Sequence, residues 1–114
     1  MIIWVKRMIT KYMKMLCMFD LPVDTAEQQR AYRRFRKDIM SEGFIMIQYS
    51  VYVRTCPNRQ FANQLEKRLQ KIMPKEGNVR LLTVTEKQYE DMKIMVGSRQ
   101  LSETALGIER MIVI

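Results

Sequence analysis

One acidic residue stands where a chain could hold a metal ion. Asp20 follows a mostly apolar run at 12–19 and precedes Leu21 and Pro22, so we expect it at the end of a buried strand, before a loop. Mg²⁺ takes oxygen ligands, often only one or two carboxylates with waters, and a metal-bound hydroxide there could attack a phosphodiester. An aspartate before a loop is also a common turn or capping residue. A single acid also cannot build a two-metal nuclease site within one subunit. Both interpretations of Asp20, as a metal ligand and as a turn or capping residue, therefore stay open.

A row of basic side chains on one predicted helix is the second candidate site. Arginine forks match phosphate oxygens, so such a row could follow a nucleic-acid backbone without reading bases. A solvated helix face is the alternative, but the row has no acidic residues on its own side and its like charges repel, which favours an anionic ligand. The row consists of Arg30, Arg33, Arg34 and Lys37, with Arg36 at its flank and with Lys14 and Arg54 added from neighbouring strands as predicted DNA-binding residues.

The charge of the chain is unevenly distributed. The net charge is +8, but residues 1–75 hold 15 basic and 6 acidic side chains, whereas residues 76–114 hold 5 and 6. A localised positive surplus suits a polyanion such as nucleic acid, and suits an anionic membrane surface less well. The chain has no histidine, which excludes Ser-His and Cys-His catalysis and removes the commonest metal ligand. Two separate cysteines, Cys17 and Cys56, make neither a disulfide framework nor a zinc site.

The N-terminus does not resemble a targeting segment. The apolar stretch at 1–5 stops at Lys6 and Arg7, so it is too short for a signal peptide and its charges follow the apolar part. No apolar run approaches the length that spans a bilayer. We therefore expect a cytoplasmic protein with no membrane partner, and we interpret residues 1–11 as an N-terminal extension.

The elements that must position the two candidate sites follow from periodicity and capping signals. The run at 12–19 predicts a central strand buried on both faces. A helix should begin at Asp24 or Thr25, both of which have capping-box spacing, and end near Glu42, before Gly43. Since successive residues of an α-helix are rotated by about 100° around its axis, four apolar side chains fall on one side of this helix. These inward residues are Ala31, Tyr32, Phe35 and Ile39.

Strict alternation at 44–54 predicts one long strand, or two strands joined by a tight bend at 48–50. Tyr49 is expected in the core and Tyr52 at an interface, although either ring could stack on a base of single-stranded nucleic acid. Asn58 can cap a second helix, which Pro74 stops. The inward positions of that helix are Phe61, Leu65, Leu69 and Ile72.

The remaining sequence completes a βαββαβ order. Gly77 and Asn78 predict a turn, 79–84 a strand, and Thr85 with Gln88 the cap of a short helix. Residues 110–114 could form a terminal strand. This order predicts an α+β, ferredoxin-like domain, an antiparallel sheet with two helices on one face. The other sheet face then needs a cover, for which a partner subunit is the simplest candidate.

Several segments, in this order, carry a resemblance to a known family. They are Met18-Phe19-Asp20-Leu21-Pro22, Ala31-Tyr32-Arg33-Arg34-Phe35-Arg36-Lys37, Ser41-Glu42-Gly43-Phe44, Gln48-Tyr49-Ser50-Val51-Tyr52 and 81–88. Over residues 12–97 the chain resembles the CRISPR-associated protein two family, in the branch found beside type II interference systems. Many members of the family have tyrosine where this chain has Phe19.

The resemblance implies a ferredoxin-like homodimer over residues 12–97 and a tail at 98–114 whose last strand completes the partner's sheet. That strand would contain Met111, Ile112, Val113 and Ile114. It also implies a non-catalytic role at the centre of the spacer-acquisition complex. There, dimers of the integrase, CRISPR-associated protein one, flank this dimer, which holds a foreign DNA duplex for insertion into the array. The alternative that the resemblance implies is a magnesium-dependent endonuclease of RNA or DNA with Asp20 as metal ligand.

Overall fold

The computed structural model describes residues 12–98. In this part of the chain, one antiparallel sheet of four strands, in the order β2-β3-β1-β4, combines with three helices. The chain order is the βαββαβ order predicted from the sequence, and the α+β, ferredoxin-like fold is confirmed. The strands are β1 (Met13–Asp20), β2 (Ile45–Gln48), β3 (Val51–Cys56) and β4 (Asn78–Thr85), and the helices are α1 (Ala26–Ser41), α2 (Arg59–Gln70) and α3 (Glu86–Glu90).

Strand β1 lies at the centre of the sheet and is buried on both faces, as its unbroken apolar run predicts. It pairs with β3 on one side and β4 on the other, so that Met18 lies opposite both Val51 and Arg80. Six of its eight residues are buried, whereas Met18 is half-buried and Asp20 is exposed. Asp20 therefore lies at the carboxyl end of a strand that is paired on both sides.

The main core lies between one face of the sheet and the two long helices. Phe35 and Ile39 of α1 and Leu65 of α2 pack against Cys17 and Phe19 of β1. Each such side chain contributes on the order of 1.5–3 kcal/mol when removed from water. Of the four residues predicted to face inward on α1, Phe35 and Ile39 are buried, whereas Tyr32 is half-buried and Ala31 is exposed. The helix therefore contacts the sheet along a narrower stripe than the sequence indicates.

The helix ends follow the predicted capping signals. Thr25, rather than Asp24, caps α1: its side chain accepts from the Gln28 backbone N–H, and the Gln28 side chain accepts from the Thr25 N–H. Thr85 and Gln88 form the same reciprocal box at α3, and Asn58 caps α2. Helix α2 ends at Gln70, so the predicted fourth inward position, Ile72, lies beyond it.

The alternating segment at 44–54 forms two strands, the second of the predicted alternatives. Tyr49 and Ser50 make the turn between β2 and β3, with Ser50 at a φ of 63°. The pairing shifts by one residue between Met46 and Gln48, which marks a β-bulge. The turn is joined to the end of β1, because the Phe19 N–H donates to the Ser50 carbonyl at 3.1 Å.

The second face of the sheet contains a smaller apolar cluster. Leu16, Val53 and Tyr89 are buried there, so α3 supplies part of the cover for which the sequence predicted a partner subunit. Leu82 on the same sheet is 52% exposed. A dimer partner over this face stays a prediction, and the predicted extension at 1–11 and terminal strand at 110–114 lie outside the described residues.

A buried ion pair stands beside this cluster. Lys14 of β1 and Glu86 of α3 are 2% and 3% exposed, and the Lys14 Nζ lies 3.4 Å from the Glu86 Oε2. The same ammonium donates to the Thr55 hydroxyl at 2.5 Å and lies 5.4 Å from the centre of the Tyr89 ring. These contacts tie β1, β3 and α3 together through one cation.

Both cysteines are free and buried in the main core. Burial raises the pKa of the Cys17 thiol to about 11. Burial also raises the pKa of Cys56, although the nearby cations Arg54 and Lys14 act in the opposite direction. These thiols are core groups rather than ligands or nucleophiles.

Gly77 supports the end of β1 and cannot hold a side chain without strain. Its φ is +94°, and a Cβ there would lie 2.6 Å from the Asp20 carbonyl oxygen and 2.7 Å from a methyl of Leu21. We expect Gly77→Ala to lower the free energy of unfolding by about 2–4 kcal/mol, since the left-handed backbone alone costs about 1–2 kcal/mol. Urea denaturation measures this.

Gly97→Ala is the matched control for that prediction. Gly97 has a φ of +105°, but a Cβ there would meet nothing within 4 Å. Only the backbone cost of about 1–2 kcal/mol should therefore appear. Equal losses for the two variants would show that contact with the end of β1 contributes nothing.

Candidate nucleic-acid interface

Four basic residues form one exposed face of α1, which we call the basic face: Arg30, Arg33, Arg34 and Lys37. Helical geometry places this face opposite Phe35 and Ile39, which anchor the helix to the sheet. Within residues 12–98, none of the four takes part in an ion pair. The face therefore presents four charges to solvent on a helix that is fixed by core packing and by a capping box.

Arg36 extends the basic face on one side and is held in place. Its Nε donates to the Tyr52 hydroxyl at 2.9 Å, and this hydrogen bond raises the pKa of the guanidinium, which stays charged. Together with Tyr32, Arg33, Lys37, Met40 and Ser41, it lines a shallow depression along α1. The depression therefore combines three cations with a half-buried aromatic ring.

Tyr52 was predicted at an interface, and the structure corrects this. The side chain is 1% exposed and belongs to the main core. Its ring stacks on Phe19 with 5.4 Å between centroids. The alternation of β3 directs Tyr52 toward the helices, and its one polar atom is satisfied by Arg36. In the described fold, Tyr52 positions Arg36.

Lys14 was predicted to contact DNA, and this is wrong in the described fold. The ammonium is buried on the second face of the sheet with Thr55 and Glu86, away from the basic face. A nucleic acid could reach it only by separating the Lys14 ammonium from the buried Glu86 carboxylate, which is costly.

Arg54 is half-buried, and its side chain contacts the C-terminal end of α1. Its Nε donates to the Glu42 carbonyl at 3.1 Å, its Nη1 donates to the Thr55 carbonyl, and its guanidinium lies 5.0 Å from the Phe61 ring centre. These contacts clamp β3 to the helix end and to α2. A role of Arg54 in DNA binding stays a prediction.

Asp20 is exposed at the carboxyl end of β1, where the sequence places it, and lies opposite Asn78 of β4. Across residues 12–98, no group of three His, Cys, Asp or Glu side chains is close enough to hold a metal ion. One carboxylate with waters can bind Mg²⁺ only weakly, so the described residues of one chain fit a metal site incompletely. The magnesium prediction thus needs a further ligand from another subunit or from the substrate.

Tyr49 was predicted in the core, but its side chain is 81% exposed. In a continuous strand it would share a face with Ile47 and Val51, but the turn takes it out of the sheet. The sequence contains the signal for this, because a bend at 48–50 was one of the two predicted arrangements.

The fold and these residues together define a class: small, basic, ferredoxin-like α+β proteins with an exposed cationic helix and, separately, an exposed aspartate at the end of the central strand. The comparison with known sequences gives the family. The chain belongs to the family described as CRISPR associated protein Cas2, whose profile matches residues 13–92. Its place in the type II branch stays a prediction.

The similar proteins are alike over most of their length. A protein of Ligilactobacillus salivarius is 47% identical over 102 residues, which cover 90% of this chain and 100% of that protein. One from Streptococcus mutans is 50% identical over 90 residues, 79% of this chain and 83% of its own. Both are named CRISPR-associated endoribonuclease Cas2. A solved structure described as a crystal structure of Cas2 is 19% identical, covers 80% of this chain and 92% of that one, and has a TM-score of 0.47.

In the part of the chain that the structure describes, no helix has the length and apolar character needed to cross a membrane.

Proposed function

We propose that this chain binds double-stranded DNA as a homodimer at the centre of a spacer-acquisition complex, and that its own role there is non-catalytic. The observation that carries the proposal is the basic face: four exposed cations without an ion-pair partner in residues 12–98, on one rigid helix. Membership of the Cas2 family supports the CRISPR context.

The dimensions of the basic face suit a phosphate backbone. Arg30 and Lys37 are seven residues apart, which corresponds to about 10 Å of helix at roughly 1.5 Å per residue. Phosphates of one B-DNA strand advance by about 3.4 Å along the axis and also wind around it, so the face is long enough to meet about two neighbouring phosphates of a strand. Contacts of this kind position a duplex and carry no sequence information, which suits a protein that must accept foreign DNA of any sequence.

In this proposal, the homodimer places a second basic face on the same duplex, and integrase dimers act at the two ends. The predicted strand at 111–114 would join the partner's sheet. The chain would hold the duplex and set the distance between the integrase sites, and the integrase would catalyse the insertion.

The basic face is tested by replacing Arg33, Arg34 and Lys37 with alanine together. We expect the affinity for a short DNA duplex to fall about 10–100-fold near 0.1 M salt. The dependence of log affinity on log salt should become shallower by about 2–3, since each lost phosphate contact removes about 0.9. Fluorescence anisotropy over a salt series measures both quantities.

A control variant removes the same charge elsewhere. Arg59, Lys67 and Lys93 are exposed and lie outside α1. Their replacement with alanine should change the affinity only through the net charge, with a salt slope close to that of the parent protein. If both variants gave the same slope, the basic face would not be the binding surface.

A magnesium-dependent endonuclease of RNA or DNA is the second candidate function. Two observations favour it: the exposed carboxylate of Asp20 at the end of β1, and the name endoribonuclease carried by the similar proteins. Asp20 would hold the metal together with its copy in the dimer partner, because one chain supplies too few ligands in its described part.

A further inference from the structure

The exposed ring of Tyr49 lies in an unusual place for an aromatic side chain. Among residues 12–98 it is the one aromatic residue that is exposed, at 81%. Single apolar residues on a surface are ordinary and need no explanation. Tyr49 differs from such residues in the backbone contacts that hold its turn and in the aromatic and basic residues around that turn.

The turn that carries Tyr49 is held at two points. The Phe19 N–H donates to the Ser50 carbonyl at 3.1 Å, which ties the turn to the end of β1. Ser50 adopts a φ of 63°, a conformation that non-glycine residues rarely take, and it fixes the direction of the turn. A ring on such a support is presented to solvent with little freedom of the backbone to lose on binding.

The turn that carries Tyr49 is linked through Phe19 to the aromatic residues beside the cations of α1. The Phe19 ring lies 6.2 Å from the Tyr32 ring, and after burial the proximity of Tyr49 also contributes to the raised pKa of Tyr32. Tyr32 in turn lines the depression that contains Arg33, Arg36 and Lys37. The guanidinium of Arg36 is fixed by its bond to Tyr52 at 2.9 Å. An exposed ring, a second aromatic ring and three cations thus adjoin one another.

We infer that Tyr49 is a stacking platform for one unpaired nucleobase, whose neighbouring phosphates are held by Arg33 and Arg36. Stacking on an aromatic ring inside a positively charged groove is the usual way to bind single-stranded nucleic acid without reading its sequence. A base inside an intact duplex cannot offer its face to a ring, so the ligand of this site is a single-stranded segment. The inference rests on the proposed function only in taking DNA as the ligand.

Single variants at position 49 separate stacking from other roles of the side chain. The probes are a short oligo(dT) and a blunt DNA duplex. Tyr49→Ala should weaken oligo(dT) binding about tenfold, because the base loses the ring on which it stacks. Tyr49→Phe should bind as the parent protein does, whereas Tyr49→Leu, which is apolar but cannot stack, should resemble Tyr49→Ala. Binding of the blunt duplex should stay within about twofold in all three.

Unchanged oligo(dT) affinity in Tyr49→Ala, or an equal loss for oligo(dT) and duplex, would overturn the inference. The proposed function fails separately, when the triple variant of the basic face keeps its duplex affinity and salt slope. Circular dichroism checks that each variant is folded.

A spectroscopic variant tests the same contact directly. Trp4 is the single tryptophan of the chain, so Trp4→Phe combined with Tyr49→Trp puts the fluorescent indole at the site. A base stacked on that indole should quench its emission as oligo(dT) is added, and blunt duplex should not. Equal emission with and without oligo(dT) would also overturn the inference.

Discussion

Alanine in place of Lys14 is expected to lower the free energy of unfolding by about 3–5 kcal/mol, enough to leave much of the protein unfolded at 37 °C. The ammonium is 2% exposed, lies 3.4 Å from the Glu86 carboxylate and donates to Thr55. Its removal takes the Lys14 cation away from a buried carboxylate, and also leaves a space beside Leu16 and Tyr89. Urea denaturation followed by circular dichroism measures the change.

A double variant shows whether the loss comes from the buried carboxylate that remains. Lys14→Met with Glu86→Leu replaces both partners by apolar side chains of similar size. Such replacements are often neutral or stabilising, so the double variant should recover most of the stability that Lys14→Ala loses. If the double variant were as unstable as Lys14→Ala, the attraction between Lys14 and Glu86 would itself stabilise the packing of α3 on the sheet. The buried carboxylate that remains in Lys14→Ala would then not explain the loss.

Alanine in place of Asp20 is expected to reduce any magnesium-dependent cleavage by the chain at least about a hundredfold, because the carboxylate is the proposed metal ligand. Binding of duplex DNA should stay within about twofold, since Asp20 lies at the end of β1 and outside the basic face. Nuclease assays with and without Mg²⁺, duplex binding, and spacer acquisition in cells are the three measurements.

Asp24→Ala is the matched control, because Asp24 is also exposed and its loss changes the charge equally. Acquisition that persists when cleavage is lost supports the non-catalytic role. Acquisition lost together with cleavage in Asp20→Ala, but not in Asp24→Ala, would contradict that role and favour the nuclease.

The elements were predictable because their signals are local. The apolar run of β1, the capping boxes at Thr25 and Thr85, and the bend at 48–50 each depend on residues a few positions apart. The basic face was predictable for the same reason, since one helix holds both its apolar anchors and its cations.

The errors came from contacts between distant parts of the chain. Lys14 looks like a surface cation until Glu86, 72 residues later, is folded against it. Tyr52 looks like an interface residue until its ring meets Phe19 and its hydroxyl meets Arg36. Spacing along the sequence does not contain these pairings. The predicted dimer, metal and DNA contacts depend on other molecules, so spacing along one chain could not show them.

The two buried thiols have a practical consequence for those experiments. With a pKa of about 11, the Cys17 thiol is ionised in roughly one molecule in ten thousand at pH 7. Cys56 is buried as well, and its pKa is also raised. Maleimide dyes react with thiolates, so both native cysteines should remain unlabelled in the folded protein. A single cysteine introduced at an exposed position outside the basic face, such as Gln64, could therefore carry a fluorophore for distance measurements on the bound duplex, with the native core left intact.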